Sequence, residues 1–501
     1  MPRALRLHLM PTLVLVLALA GARLAGAAAP LADAAERAAW PEVQSMLDRR
    51  ANVNATQVDG MTALHWAVHH DTEGMTARLL RAGADPRAGN RYGITPLALA
   101  CTNGNAAIVG LLLQAGADAN ASLPGGESAL MTAARSGAVQ VVQALLAHGA
   151  RVEARDDRRG QTALMWAAAE GHAAVVEALV AAGADVRTQL GSGLTPLLFA
   201  VREGHLAVTR LLVRAGADVN AAIAPDGPGP RRRGYGGGVP PAGTTPLLLA
   251  VRNAHFDVAA ALLDAGADPN AARTGYTALH AISVVRQPGV GDNDPAPAGS
   301  GEMTSLEFAK RLLARGADPN ARMTRRTNLN NSRLNEMGAT PFLLAALTAD
   351  VPLMTALVAG GADPTLTNAD GSTALMIAAG LATRSPGEDA GTEAETVDAV
   401  RFLLDLGADI DAVDRNGETA MHAAAYKNLP GVVRLLAARG ARVDVWNRPD
   451  RFEWTPLAIA AGYRFGNFKP SPETEAAIRE VMIAAGVTPP AVVVAKTQQI
   501  Y

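Results

Sequence analysis

Gly93-Ile94-Thr95-Pro96-Leu97-Ala98-Leu99-Ala100-Cys101 is the stretch on which the fold turns. Thr95 suits the residue before a helix, where its hydroxyl accepts a backbone N–H, and Pro96 suits the first turn, where no donor is needed. Leu97, Ala100 and Cys101 are then spaced for one buried face. Asn103-Gly104-Asn105 ends that helix with a residue that tolerates positive φ. Ile108, Val109, Leu112 and Leu113 form the stripe of a second helix, closed by Gly116. Ala117-Asp118-Ala119-Asn120 then begins an extended finger toward the next glycine. Helices this short cannot bury an apolar face alone, so each pair needs a neighbour.

The neighbours are written in the same words. The opening recurs as Gly60-Met61-Thr62-Ala63-Leu64-His65-Trp66-Ala67, Gly193-Leu194-Thr195-Pro196-Leu197 and Gly243-Thr244-Thr245-Pro246-Leu247. Its hydroxyl falls at Thr62, Thr95, Ser128, Thr162 and Thr195, in steps of 33, 33, 34 and 33, and returns at Thr245, Thr277, Thr340, Thr373, Thr419 and Thr455. A closing Gly-Ala-Asp recurs at Gly83, Gly116, Gly183, Gly216, Gly266 and Gly316. This period, with its T-P-L-H-x-A core, resembles the ankyrin repeat family.

The resemblance implies an all-α repeat solenoid: helix-turn-helix pairs with β-hairpin fingers, in an elongated curved stack of about twelve units. It also implies fingers along the concave edge, inter-helix turns on the far side, and a protein partner on the concave face. His65, His280 and His422 stand where the family ties fingers together by hydrogen bonds. The resulting organisation is an N-terminal capping repeat over 28–59, continuous repeats over 60–220 and a basic Gly/Pro-rich finger insertion at 221–242. Repeats with insertions near 284–303, 321–337 and 381–394 then fill 243–453, followed by a C-terminal capping repeat at 454–487 and a tail at 488–501.

Residues 1–27 read as an export signal. Arg3 and Arg6 precede the apolar run Leu9 to Ala22, and Ala25-Gly26-Ala27 offers a small-residue cleavage site before Ala28. An uncleaved anchor is the alternative, but the run is short of the ~20 apolar residues a span needs, and Arg23 interrupts its end. The expectation is an exported protein, periplasmic or secreted, from a bacterium. Cys101 is the only cysteine, so no disulfide forms within the chain, and it sits where other repeats carry Ala or Val. Asn54-Ala55-Thr56, Asn120-Ala121-Ser122 and Asn330-Asn331-Ser332 match glycosylation acceptors, two of them inside the recurring Asn-Ala phrase. The net charge of −2 leaves no basic excess to attract nucleic acid.

The insertions individualise the chain. Two lengthen fingers: 221–242 carries Arg231, Arg232 and Arg233 against Asp226, and 321–337 carries Arg322, Arg325, Arg326 and Arg333 against Glu336. Two lengthen inter-helix turns and are acidic: 284–303 has Arg286 against Asp292, Asp294 and Glu302, and 381–394 has Arg384 against Glu388, Asp389 and Glu393. The expectation is a basic lip that meets an acidic partner surface. Solvated, flexible loops are the plainer reading, which Gly227-Pro228-Gly229-Pro230 and Gly236-Gly237-Gly238 favour.

No nucleotide-binding loop, nucleophile elbow or C-x-x-C occurs. His65 and His69 share a helical face, but a zinc-protease helix needs glutamate where this chain has Trp66. The chain therefore reads as a non-catalytic interaction scaffold without a cofactor or metal. Its partner-binding candidates are Met61, Trp66, Arg91, Tyr92, Arg158, Arg159, Trp166, Phe199, Arg202, Arg231, Arg232, Arg233, Arg252, Arg322, Arg325 and Arg326, since Trp, Tyr and Arg anchor interfaces. The favoured role is holding, inhibiting or protecting another protein. Alternatives are a secreted effector that binds a foreign host protein, and a metal or small-ligand binder or enzyme with a site on the repeat surface.

Overall fold

A computed structural model describes residues 29–224, 241–287, 297–327, 329, 332–384, 386–387, 389–463 and 470–491. Residues 1–27, read above as an export signal, and Arg231 to Arg233, Asp292, Asp294, Glu388 and most of the tail lie outside these residues. The chain divides into two compact units, Met1–Ala133 with Gln143–Ala150, and Ala134–Val142 with Arg151–Tyr501.

The first unit is a run of helix pairs: α1 (Pro30–Glu36) with α2 (Trp40–Asp48), α3 (Ala63–His69) with α4 (Glu73–Arg81), and α5 (Pro96–Asn103) with α6 (Ala106–Gln114). α7 (Ala129–Ser136) and α8 (Val139–Ala147) have residues in each unit. The second unit continues with α9 (Ala163–Glu170) and α10 (Ala173–Ala181), α11 (Pro196–Glu203) and α12 (Leu206–Arg214), α13 (Pro246–Arg252) and α14 (Phe256–Asp264), and α15 (Ala278–Arg286) and α16 (Ser305–Ala314). Then come α17 (Pro341–Leu347) and α18 (Val351–Ala359), α19 (Ala374–Ala378) and α20 (Glu393–Asp405), α21 (Ala420–Lys427) and α22 (Pro430–Ala438), the short α23 (Val443–Trp446), and α24 (Pro456–Ala460) with α25 (Pro472–Ala484).

Within the second unit first helices pack on first helices, from α9 through α11, α13, α15, α17, α19 and α21 to α24. Second helices form their own layer, from α10 through α12, α14, α16, α18, α20 and α22 to α25. The seam between layers is filled by the periodic apolar residues. Leu164, Leu197, Leu247, Leu279, Phe342 and Leu375 are essentially buried, as are Val175, Leu212, Leu262, Leu312, Leu357 and Leu403 on the facing helices. Each such side chain contributes about 1.5–3 kcal/mol on burial, and truncation to Ala costs about 2–5 kcal/mol because a cavity remains. Cys101 is buried in the same seam of the first unit, and burial pushes its thiol up to about 12, so it packs as a small apolar residue.

The threonine of the opening phrase caps the helix as its sequence implies. Thr95 Oγ1 accepts from Ala98 N at 3.2 Å, and Thr195, Thr245 and Thr340 repeat the bond. Gly104 ends α5 at φ +75, and Asn105 Oδ1 caps α6 through Ala107 N and Ile108 N.

Three features differ from the sequence reading. The fingers are closed turns rather than hairpin strands: among the described residues there is no named strand, and Ser122 and Ser128 form an isolated bridge. The finger bases close on single bonds such as Gln57 N to Met61 O (2.9 Å) and Asn90 N to Ile94 O (3.0 Å), leaving no length for a ladder. Val284, Val285 and Arg286 belong to α15 rather than to the inserted turn. Glu393 and Ala394 belong to the first turn of α20, because Thr392 and Glu395 form a capping box that starts the helix there.

Candidate protein-binding face

The fingers are positioned by two sets of bonds between consecutive repeats. In the first unit His65 is fully buried; its Nδ1 accepts from Thr62 N (3.2 Å) and its Nε2 reaches Ile94 O of the next finger (3.0 Å). His280 does the same with Thr277 N and Ala339 O, and His422 with Thr419 N and Arg448 O. A ring that accepts at one nitrogen and meets a carbonyl at the other is neutral. Burial pushes all three imidazoles down, His280 and His422 to about 4. The second set uses the recurring asparagine. Asn220, Asn270 and Asn320 donate their amides to Gly266 O, Gly316 O and Gly361 O, and accept from Asp268 N, Asp318 N and Asp363 N.

The first unit exposes an aromatic cluster. Trp66 is half-buried, and its Nε1 donates to Gln57 Oε1 at 2.7 Å; Gln57 in turn donates to Asp33 and Glu36. His69 stands edge-on to Trp66 at 5.5 Å between centroids, and Trp40 edge-on to His70 at 5.7 Å. His69 and His70 are exposed, whereas both nitrogens of His65 are engaged in the protein. Tyr92 is 55% exposed, with the Arg91 guanidinium 4.7 Å from its ring centroid. Met61, expected on this face, lies in the core, where Asn90 Nδ2 approaches its sulfur at 3.4 Å.

In the second unit the arginines stand at finger tips and inner-helix ends. Arg158 and Arg159 are exposed, their backbone N–H groups held by Asp156 Oδ1. Trp166 is half-buried beneath Arg135, 5.4 Å from ring centroid to guanidinium carbon, and its Nε1 is buried without a partner. Arg202 lies over Phe199 at 5.2 Å and pairs with Glu203. Phe199 itself is only 5% exposed, so it supports Arg202 from the core rather than offering a contact surface. Arg252 is exposed beside Tyr276.

The expected basic lip at 321–337 is described at 321–327, 329 and 332–337, where the finger folds around the buried Glu336. That carboxylate accepts from Thr327 N, Thr327 Oγ1 and Leu329 N. Its arginines are exposed, yet Arg322, Arg325 and Arg326 also donate to neighbouring protein oxygens. Arg325 donates to Arg273 O of the neighbouring finger (2.8 Å), Arg322 to Gly338 O and Thr367 O, and Arg326 to Asn335 Oδ1. Arg415 and Arg451, which the sequence reading passed over, continue the pattern onto Ala369 O and Asn416 Oδ1. Each of these arginines commits one guanidinium nitrogen to the protein. An arginine two residues before the turn glycine, as at Arg273 before Gly275 and Arg415 before Gly417, was the signal available in the sequence.

At the last fingers Asp414, Glu418 and Asp450 converge. Asp450 Oδ2 accepts from Tyr426 (3.1 Å) and Asp414 Oδ2 from Ser372 (3.1 Å). Burial, with these two carboxylates beside it, holds Glu418 up to about 8.

Comparison with known proteins gives the lineage of this architecture. The profile described as Ankyrin repeats (3 copies) matches residues 31–122, 130–223 and 390–469, and that described as Ankyrin repeat matches 242–273. The ankyrin repeat and LEM domain-containing protein 1 homolog of Caenorhabditis elegans is 46% identical over 52 residues, 10% of this chain and 7% of that protein. The human neurogenic locus notch homolog protein 1 is 33% identical over 191 residues, 38% of this chain and 6% of that protein. The chain thus spans only a small fraction of these relatives. The crystal structure of the ankyrin repeat domain of Bcl-3 aligns with a TM-score of 0.36 at 30% identity, covering 39% of this chain and 90% of that one.

Proposed function

Because the chain belongs to the ankyrin repeat family, whose repeats generally mediate protein–protein interaction, we propose that it is a non-catalytic scaffold that binds an acidic protein surface through the finger-tip arginines of its second unit. The observation that carries this reading is the row Arg273, Arg322, Arg325, Arg326, Arg415 and Arg451, exposed at the fingers before α15, α17, α21 and α24. Backbone carbonyls and side-chain amides hold five of these guanidiniums in place, so little side-chain entropy is lost on pairing with a carboxylate. Arg158, Arg159 and Arg252 extend the same charge, and the half-buried Trp166 supplies an anchor. Nucleic acid is disfavoured as the partner by the overall charge balance.

The N-terminal basic and apolar segment supports export, with holding, inhibition or protection of a protein in the periplasm or outside the cell as the role. Among the described residues no helix is long and apolar enough to cross a membrane. The test is capture from the exported fraction with the chain from Ala28, beside an Arg158→Glu/Arg159→Glu/Arg326→Glu variant. A partner lost with the variant and weakened by salt supports the reading. A partner held equally by both proteins removes the arginine face.

A further inference from the structure

A cavity of about 620 Å³ opens in the second unit, away from the fingers, where the inserted turn between α19 and α20 meets the ends of α15 and α21. Gln287, Gly387, Asp389, Ala390, Lys427 and Asn428 line it, with Thr392, Glu393 and Glu395 from the start of α20. Lys427 is only 7% exposed, and its Nζ donates to Ala390 O at 2.7 Å. Lysines occur only at 310, 427, 469 and 496; every other one of the 45 basic residues is arginine. A guanidinium keeps its charge, whereas a buried amine can lose its proton and become a nucleophile.

The surroundings make room for that amine. Gly391 has φ +87, and a methyl there would lie 3.4 Å from Nζ and 3.0 Å from the Ala349 Cβ. Gly380 has φ +116, and a methyl there would lie 2.5 Å from the Lys427 Cβ. Two lining residues, Gln287 and Asn428, have buried side-chain oxygens without a hydrogen-bond partner, an unfavourable burial that turning either amide toward a ligand hydroxyl relieves. The carboxylates of Asp389, Glu393 and Glu395 oppose an anionic ligand.

We propose that Lys427 captures small, neutral, hydroxyl-bearing aldehydes or ketones as an imine. The lysine ammonium first gives one proton to solvent. The nitrogen lone pair then attacks the carbonyl carbon, and the carbonyl π pair moves to oxygen, which takes a proton from the nitrogen through a neighbouring carboxylate. Loss of that hydroxyl with a second proton, also from the nitrogen, releases water and leaves C=N. Amine and carbonyl compound thus give imine and water, with no change of oxidation state. The ligand's hydroxyls donate to Gln287 and Asn428. Burial pulls the Lys427 amine below the usual lysine range, while Asp389 and Glu395 oppose the shift.

The test is reductive trapping on the full chain, with glyceraldehyde as probe and cyanoborohydride as the hydride source, read by peptide mass mapping. Lys310, exposed on α16, is the internal reference. Lys427 should be modified about tenfold faster than Lys310, and glyceraldehyde 3-phosphate should lose that preference. Gln287→Ala and Asn428→Gly, each checked for native helicity, should slow Lys427 and leave Lys310 unchanged. Equal or slower labelling of Lys427 would show that the lysine only pins Ala390, and preference undisturbed by both variants would show that the cavity does not recognise the ligand. Either result overturns the proposal.

Discussion

Arg286 and Asp350 form a two-pronged ion pair, Nε to Oδ2 at 2.5 Å and Nη2 to Oδ1 at 3.1 Å, with the Asp350 carboxylate fully buried. The arginine closes α15 and also donates to Ser305 at the start of α16, while Asp350 caps α18 through Leu353 N. One pair therefore ties the long turn after α15 to the next repeat. Removing the arginine alone leaves a buried carboxylate without its counter-charge. Arg286→Met should lower stability by about 3–5 kcal/mol, and Arg286→Met/Asp350→Leu should recover part of the loss. Urea unfolding of the two singles and the double gives the coupling, and additive losses would refute it.

Acid should weaken the chain through its finger histidines. His280 and His422 are held down to about 4 in the fold, against an ordinary value of 6.5 when unfolded. Their contribution is complete above the unfolded value and is lost as pH falls from there toward 4, since the unfolded state binds protons first. The loss is up to about 3 kcal/mol per histidine. Urea midpoints at about pH 7 and about pH 5 should diverge in the parent and converge in His280→Gln/His422→Gln. An unchanged pH dependence in that variant would sink the assignment.

Glu418 carries the opposite sign. Its folded value is raised to about 8, so its contribution is complete below the unfolded value of 4.5 and declines as pH rises toward 8. Glu418→Gln should therefore raise the unfolding midpoint at mildly alkaline pH by the equivalent of 1 kcal/mol or more, on the order of a one-unit shift. Little difference is expected in acid. A midpoint gain of equal size in acid would point to packing instead.

Two glycines with similar backbone separate strain from collision. Gly183 has φ +91 with open space beyond it, and Gly193 has φ +80 with Ala224 N only 2.3 Å from the site of a methyl. Gly183→Ala should cost about 1 kcal/mol, the penalty of left-handed backbone alone. Gly193→Ala should cost at least about 1 kcal/mol more, because the neighbouring finger must move. Thermal unfolding of the pair decides the point, and equal losses would contradict the close approach.

The repeat is written in the chain as a period, and a period constrains local structure directly. Thr95, Pro96, Gly104 and Asn105 act on residues within four positions of themselves, so their caps and turns could be read without any tertiary contact. The same holds for Cys101, whose place in the apolar stripe put it in the core. The face was less legible. Met61 and Phe199 occupy positions that look exposed in the repeat phrase, and their burial depends on residues about thirty positions away, such as Asn90 beneath Met61.

What the sequence determined by itself was the unit: helix pair, turn chemistry and the basic character of the fingers, all properties of short-range spacing, whereas the histidine clasp was implied by the resemblance to the ankyrin family. What only the tertiary structure decided was which charges are occupied. Arg286 was counted with an exposed turn and is a buried partner of Asp350; Arg325 holds the carbonyl of Arg273; Lys427 stands in a cavity that three separate segments enclose. The physical reason is that a charge is set by what lies within a few ångströms of it, and in a repeat stack those neighbours come from other repeats.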